Sequence, residues 1–310
     1  MRYSLDEIDT FLTVLELGTV TAAAARLNLS KSVVSRRITE FETTLGAALF
    51  RRHAGRIVPT ETALRLAERL RPALAELVAA AESAGWGMDG RLPLQGQLSI
   101  AAPMSFGTMH LSPLLAEFAA AHPALELRVD YDDRLRDLGR EGFDLGIRIG
   151  APRDGSLKAR KMCEDQQVVV ASPGYLDRHG TPRTPADLRG HAVISYSHLP
   201  NAAAWQFRQG GRMVSPPVSG RITVNNGEAI REMAIAGLGL AMLPRFIVST
   251  PLISGRLVRV MADVETRRLP IMAVWPPVEP MPAKLRALID HLAAELSGGK
   301  PWARSLAAAS

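Results

Sequence analysis

The stretch from Ser30 to Gly46 constrains this chain most, because a helix start, an apolar stripe and a helix stop follow one another there without a gap. Ser30 is of the residue type that caps helix N-termini, and Gly46 of the type that ends helices in the left-handed conformation. Val34, Ile38, Phe41 and Leu45 are spaced 4, 3 and 4, so one helix face is apolar and must be buried. At about 100° per residue the opposite face carries Ser32, Ser35, Arg36 and Thr39, short polar side chains nearly free of acids.

What precedes and follows this helix gives it a context. Leu5, Ile8, Phe11, Leu12 and Leu15 predict a helix over Leu5–Leu17 that Gly18 stops. Thr21 is expected to cap an Ala-rich helix over Ala22–Leu27, and Asn28 to end it in the left-handed conformation. Two short helices joined by a tight turn outline a helix-turn-helix. After Gly46, the run GAALFRRHAGRIVPT places Arg51, Arg52 and Arg56 around a glycine turn between two short extended pieces, as in a wing. The formal net charge of +6 is weak evidence by itself. Its distribution is stronger: from Arg26 to Arg56, seven basic residues face only Glu40 and Glu42, a local excess of five.

A lone polar helix face is most often simply solvated. Here the alanine helix, the local charge and both caps agree on DNA. Ser32, Ser35, Arg36 and Thr39 suit base edges in a major groove, and Arg36 can bond guanine through two nitrogens. Lys31 and Arg37 beside them, with Arg52 and Arg56 on the wing, suit phosphates.

Thr60–Ser83 reads as one long helix with a stripe at Leu70, Leu74, Leu77 and Ala81. Such a stripe either packs on its own domain or, as expected here, forms a short coiled-coil seam for dimerisation, with Pro72 loosening the helix. Gly85–Gln97 is rich in turn-formers and reads as a hinge. From Leu98 the rhythm changes to an α/β alternation, sufficient for two small lobes with a cleft between them. Strands are expected at Leu98–Ala102, Leu125–Tyr131, Phe143–Ile149, Val168–Ala171, Val193–Tyr196, Val218–Val224, Gly239–Leu243 and Met272–Trp275, and helices at Thr108–Ala121, Gly227–Ala236 and Ala283–Leu296. The Gly-, Ala- and Ser-rich tail from Gly298 is expected to be mobile.

Other classes find little support. With 47% apolar and 22% charged residues the chain is an ordinary globular one. Its single cysteine, Cys163, excludes an intrachain disulfide framework and is expected to be structural rather than a redox sensor. Acids near the N-terminus do not suit a secretory signal, and the apolar run Met233–Leu243 is short for a membrane span, so a cytoplasmic protein without a membrane partner is expected. There is no His-Glu-x-x-His, no phosphate-binding Gly-x-x-x-x-Gly-Lys and no Gly-x-Ser-x-Gly. The expectation is no catalytic residue, no metal and no cofactor. The competing reading is a small-molecule binding or transport protein, which the second part of the chain alone would suit.

The run TAAAARLNLSKSVVSRRITEFETTLGAALFRR, Thr21–Arg52, resembles the DNA-binding region of LysR-type transcriptional regulators. The likeness rests on Ala23, Ala24, Leu27, Ser32, Val34, Ser35, Ile38, Glu42, Leu45, Gly46, Leu49, Phe50 and Arg52; Pro59 and Thr62-Ala63 depart from the family pattern. The runs FDLGIRIG and VNNGEAIREMAIAGLGLAMLPRFIV are similar to the family's effector-binding region. The resemblance implies an α/β chain with an all-α winged helix-turn-helix at 1–60, a dimerising linker helix at 61–84 and a hinge at 85–97. After these come one effector lobe at 98–167 with 268–297, a second at 168–267, and the tail at 298–310. The lobes would resemble periplasmic solute-binding proteins and hold a small effector between them, with crossovers near Gln167 and Arg268. It implies double-stranded promoter DNA with an interrupted palindrome, RNA polymerase, and a homodimer or homotetramer as partners. Within the cleft it points to Ser105 and Asn226 at helix starts, where plain helix capping is the alternative role, to Arg148 at a strand end, where a surface charge is the alternative, and to Ser195 with Tyr196 closing another strand. These would suit a small effector, such as a carboxylate.

Overall fold

The computed structural model describes residues 3–53, 56–85, 93–150, 155–199 and 205–297, with side chains at all of these except 52–53, 56, 75–76 and 78–85. The hinge residues 86–92 and the expected tail 298–310 lie outside the described residues. The chain divides into two compact units, one helical with a hairpin, the other α/β.

In the first unit, α1 (Leu5–Leu17) starts at a Ser4–Glu7 capping box and stops at Gly18, φ 68°. α2 spans Val20–Arg26, and its cap is Thr19, whose hydroxyl accepts from the Ala22 amide at 3.1 Å. The expected cap Thr21 therefore lies inside the helix, because Gly18 has already turned the chain and Thr19 is the extended residue. Asn28 (φ 52°) reverses the chain into Ser30, which caps α3 (Lys31–Leu45) by accepting from Val33; Gly46 ends it at φ 69°. β1 (Phe50–His53) and β2 (Arg56–Pro59) pair antiparallel, and α4 (Glu61–Gly85) follows. Phe11, Val34, Phe41 and Leu49 form the buried core. Ala63 and Ala67 of α4 are buried in that core, with Leu70 and Leu74 packed half-buried against it. Leu70 and Leu74 of the expected seam thus also serve the domain's own core. The helix has to bury an apolar face on its own domain first, and Leu77, 46% exposed, is what remains available beyond it. The Ala81 side chain lies outside the described residues.

The second unit is built on β3 (Gly96–Ala102), β4 (Leu125–Tyr131), β5 (Leu145–Ile149), β6 (Lys158–Ala171), β7 (Ala192–Tyr196), β8 (Phe207–Gln209), β9 (Arg212–Val214), β10 (Ser219–Val224), β11 (Ala241–Pro244), β12 (Val258–Val260), β13 (Glu265–Thr266) and β14 (Arg268–Trp275). The main sheet runs β4-β3-β5-β14-β6-β11, with β12 also on β6; β10 pairs β7, and β13-β8-β9 form a small sheet. β3 is parallel to β4 and β5, and β10 is parallel to β7. β6 decides the architecture. Lys158–Gln166 pairs with β14, and Gln167–Ala171 with β11 and β12, so one strand serves two lobes. At the change of partner, the Gln167 amide donates to the Arg267 carbonyl at 3.2 Å and the Thr266 hydroxyl donates to the Gln167 carbonyl.

The helices that follow α4 are α5 (Met104–Phe106), continued by a π-helical Gly107–Leu111 into α6 (Ser112–Ala121), α7 (Leu138–Glu141), α8 (Pro173–His179), α9 (Gly227–Ile235), α10 (Arg245–Ile253) and α11 (Ala283–Ser297). The helix expected from Thr108 thus begins at Met104. The strand expected from Val168 begins at Lys158, where a charged run hides a strand that is exposed at its start but paired: Arg160 meets Asp290, and Lys161 meets Glu164. Strand β11 starts later than expected, at Ala241, because Leu240 first bonds the carbonyl of Ala192 at 2.9 Å.

Candidate functional site

Two places in the chain gather the expected residues. On α3, Lys31, Ser32, Arg36 and Thr39 are exposed and Ser35 half-buried, while Val34, Ile38 and Phe41 face inward. Ser32 hydroxyl lies 2.8 Å from that of Ser30, and Thr39 hydroxyl donates to the Ser35 carbonyl at 3.0 Å. Both hydroxyls are thus held with lone pairs still open. The Arg36 side chain is 68% exposed and only loosely drawn to Glu40, 3.8 Å away, a pair of little worth at the surface. Arg37 is different: it pairs with Asp6 and donates to the Thr10 hydroxyl at 3.4 Å, so it fastens α3 to α1. Helical spacing had placed it beside the polar face, but a charge from a distant helix claims it. On the wing, Arg51 is exposed; the side chains of Arg52 and Arg56 lie outside the described residues. Glu42 sets the wing against α3, accepting from the Leu49 and Phe50 amides at 2.7 and 3.0 Å.

The second place is the cleft between the lobes, at the carboxyl ends of parallel strands, where open α/β sheets bind ligands. Ser105 follows β3. It is 5% exposed, and its hydroxyl has no hydrogen-bond partner among the described residues. It faces the start of α9 on the other lobe, since a Cβ built on Gly227 would lie 3.4 Å from Ser105 Oγ. Asn226 caps α9, accepting from the Ala229 amide at 2.8 Å, which leaves the first α9 amides as donors toward the cleft. Tyr196 ends β7, and its hydroxyl approaches Asp133 of the first lobe. Burial, then the Asp133 and Asp132 charges, push its pKa up, so it remains a protonated donor.

Strand alternation turns Ser195, 6% exposed, to the face opposite Tyr196, so the two do not line one wall. Arg148 donates to the Arg136 carbonyl at 2.9 Å and is engaged within the first lobe. Phe106 meets Phe246 edge-on at 5.4 Å across the lobes, and His110 Nε2 lies 3.4 Å from the Phe246 carbonyl. Burial lowers the His110 pKa, favouring the neutral ring. Asp133 and Phe246 were missed from sequence. The acids at the end of β4 were the available signal for the first; nothing local marks the second. Cys163 is buried in β6 opposite Ile271. Among the described residues no group of three or more His, Cys, Asp or Glu is placed to hold a metal ion, and no helix is long and apolar enough to cross a membrane.

Ser105→Ala should raise the melting temperature of the ligand-free protein, because the alanine removes a buried hydroxyl that has no partner. The expected gain is about 1 kcal/mol; a fall measured by calorimetry would mean that Oγ has a partner.

Comparison with known proteins decides the family. Residues 5–64 match the model of the bacterial regulatory helix-turn-helix protein, lysR family, and residues 92–297 that of the LysR substrate binding domain. The chain is a LysR-type transcriptional regulator. This regulator is 33% identical over 299 residues to the HTH-type transcriptional regulator PtxR of Pseudomonas aeruginosa, covering 96% of this chain and 95% of that one. Its fold is similar to that of CrgA, a LysR-type regulator from Neisseria meningitidis (TM-score 0.59, 28% identity, 94% and 99% of the two chains). It is also similar to the Vibrio cholerae virulence activator AphB (TM-score 0.58, 26% identity, 94% and 99%). The LysR-type regulator accordingly combines a helix-turn-helix DNA-binding domain with an effector-binding regulatory domain, in a family of transcriptional regulators rather than enzymes. A free-standing transport protein is set aside by the first of these domains.

Proposed function

We propose that this regulator places α3 in the major groove at each half of an interrupted palindrome in promoter DNA, acting as a dimer or pair of dimers in the cytoplasm. The observation that carries the reading is the face of α3 itself. Lys31, Ser32, Arg36 and Thr39 stand exposed around a rigidly capped helix, and Arg36 is not locked into a strong ion pair. Ser35 and the wing arginines Arg51, Arg52 and Arg56 complete the contact, the latter with phosphates. Leu77, exposed on α4, supports self-association through that helix. A small effector seats its carboxylate between Ser105 and the start of α9, with Asn226 holding that start in place. Binding one arrangement of the lobes more tightly than the other would change the DNA-bound assembly and so the recruitment of RNA polymerase.

Capture of genomic fragments by the purified protein at physiological salt, with competitor DNA, tests this. The expected recovery is a small set of intergenic palindromic sites; uniform, salt-sensitive recovery would indicate charge-driven binding without sequence preference. On a captured site, Arg36→Ala should cost about 1–3 kcal/mol of specific affinity while leaving nonspecific affinity less affected. Unchanged titrations of both kinds would move the recognition face elsewhere.

A further inference from the structure

Around the cleft, the charges of the first lobe are largely matched. Arg136 pairs with Asp130 at 2.7 Å and with Asp132 at 3.7 Å, and Arg134 with Asp132 at 3.2 Å. Asp133, the next residue, is treated differently. Its Oδ1 accepts from the Met104 amide at 2.8 Å, and the Tyr196 hydroxyl approaches its side chain. Both donors are neutral, and among the described residues no lysine, arginine or histidine forms an ion pair with it. A carboxylate offers about four lone-pair sites, so two neutral donors leave it short of both hydrogen bonds and countercharge. It is half-buried. Its position is defined by the chain: it holds the amide of Met104, the residue directly before Ser105.

We propose that Asp133 receives a protonated amine of the effector, so that the ligand class is a small amine-bearing carboxylate. Its carboxylate lies at Ser105 and the α9 start, and its ammonium at Asp133. This rests on the effector site proposed above and specifies its chemistry. An ammonium brings three donors and a full positive charge, the two things Asp133 lacks. It also competes with the Tyr196 hydroxyl. That hydroxyl belongs to the second lobe, so occupation of Asp133 alters a contact between lobes, and ligand chemistry is thereby coupled to lobe arrangement.

The test uses the full-length protein and matched probes: the common amino acids, and the same carbon skeletons without the amine. Thermal shift finds binders and isothermal titration ranks them. At least one amino acid should bind, and its amine-free partner should bind at least ten-fold more weakly. Asp133→Asn keeps an acceptor for Met104 and should remove most of that preference. Tyr196→Phe should leave the preference in place, and circular dichroism checks that both variants fold. An amine-free acid binding as well as its partner, weakened by Ser105→Ala but indifferent to Asp133→Asn, would overturn the amine assignment and keep the cleft. Binders indifferent to both substitutions would overturn the cleft as well. Absence of binding by every amino acid would also overturn the assignment.

Discussion

Gly220→Ala should destabilise the effector-binding unit by about 3 kcal/mol and lower its melting temperature by several degrees. β10 and β7 run parallel, and their register shifts between Ser219 and Ile222. Gly220 sits at that shift. A Cβ there would lie 1.7 Å from the Val193 carbonyl oxygen and 2.8 Å from its carbon. Those are backbone atoms of a buried neighbour, so no side-chain rotation relieves the clash, and the strands must part. The damage should extend to the cleft, since β7 ends at Tyr196 and β10 leads to Asn226. Gly174→Ala is the control: nothing lies within 4 Å of a Cβ at that helical position, so a small gain of about 0.5 kcal/mol is expected. Equal calorimetric melting of the two variants would show that β10 does not approach β7 as described.

Glu42→Ala should cost about 3 kcal/mol in the DNA-binding unit. One carboxylate oxygen takes both the Leu49 and the Phe50 amide, and alanine leaves two part-buried donors unmatched. Charge-assisted bonds of this kind are roughly twice as strong as neutral ones, so Glu42→Gln should lose less, about 1 kcal/mol. The direct readout is hydrogen exchange at Leu49 and Phe50, which should quicken far more in the alanine variant than exchange in the core of α1. The wing would then no longer be fixed against α3, and nonspecific DNA affinity should fall with it. Protection of both amides in Glu42→Ala would assign the wing's placement to packing of Leu49, which is fully buried.

Much of the molecule could be read residue by residue. α1, α3 and β4 occupy the spans that periodicity and caps predict, because their limits depend on groups within a turn of one another: Ser30 on Val33, and Gly18 and Gly46 on their own φ angles. The polar face of α3 was legible for the same reason. Where the expectation failed, a distant partner had intervened. Thr19 displaced Thr21 by a single conformational choice next to Gly18, but Arg37 was taken by Asp6 from another helix. Leu70 and Leu74 have the spacing of a seam, and within the chain they also pack half-buried against the core left by α1 and α3.

The sequence by itself determined the helix-turn-helix, the change to α/β architecture after Leu98, and the residue types at strand and helix ends. Only the tertiary structure decided that β6 continues through both lobes, that Ser105 faces Gly227, that Arg148 turns back to Arg136, and that Tyr196 meets Asp133. The physical reason is range. Caps and hydrophobic periodicity act within a few residues and leave a local record, whereas a cleft is made by side chains that the chain topology brings together across tens of residues, and their pairing is written in no single segment.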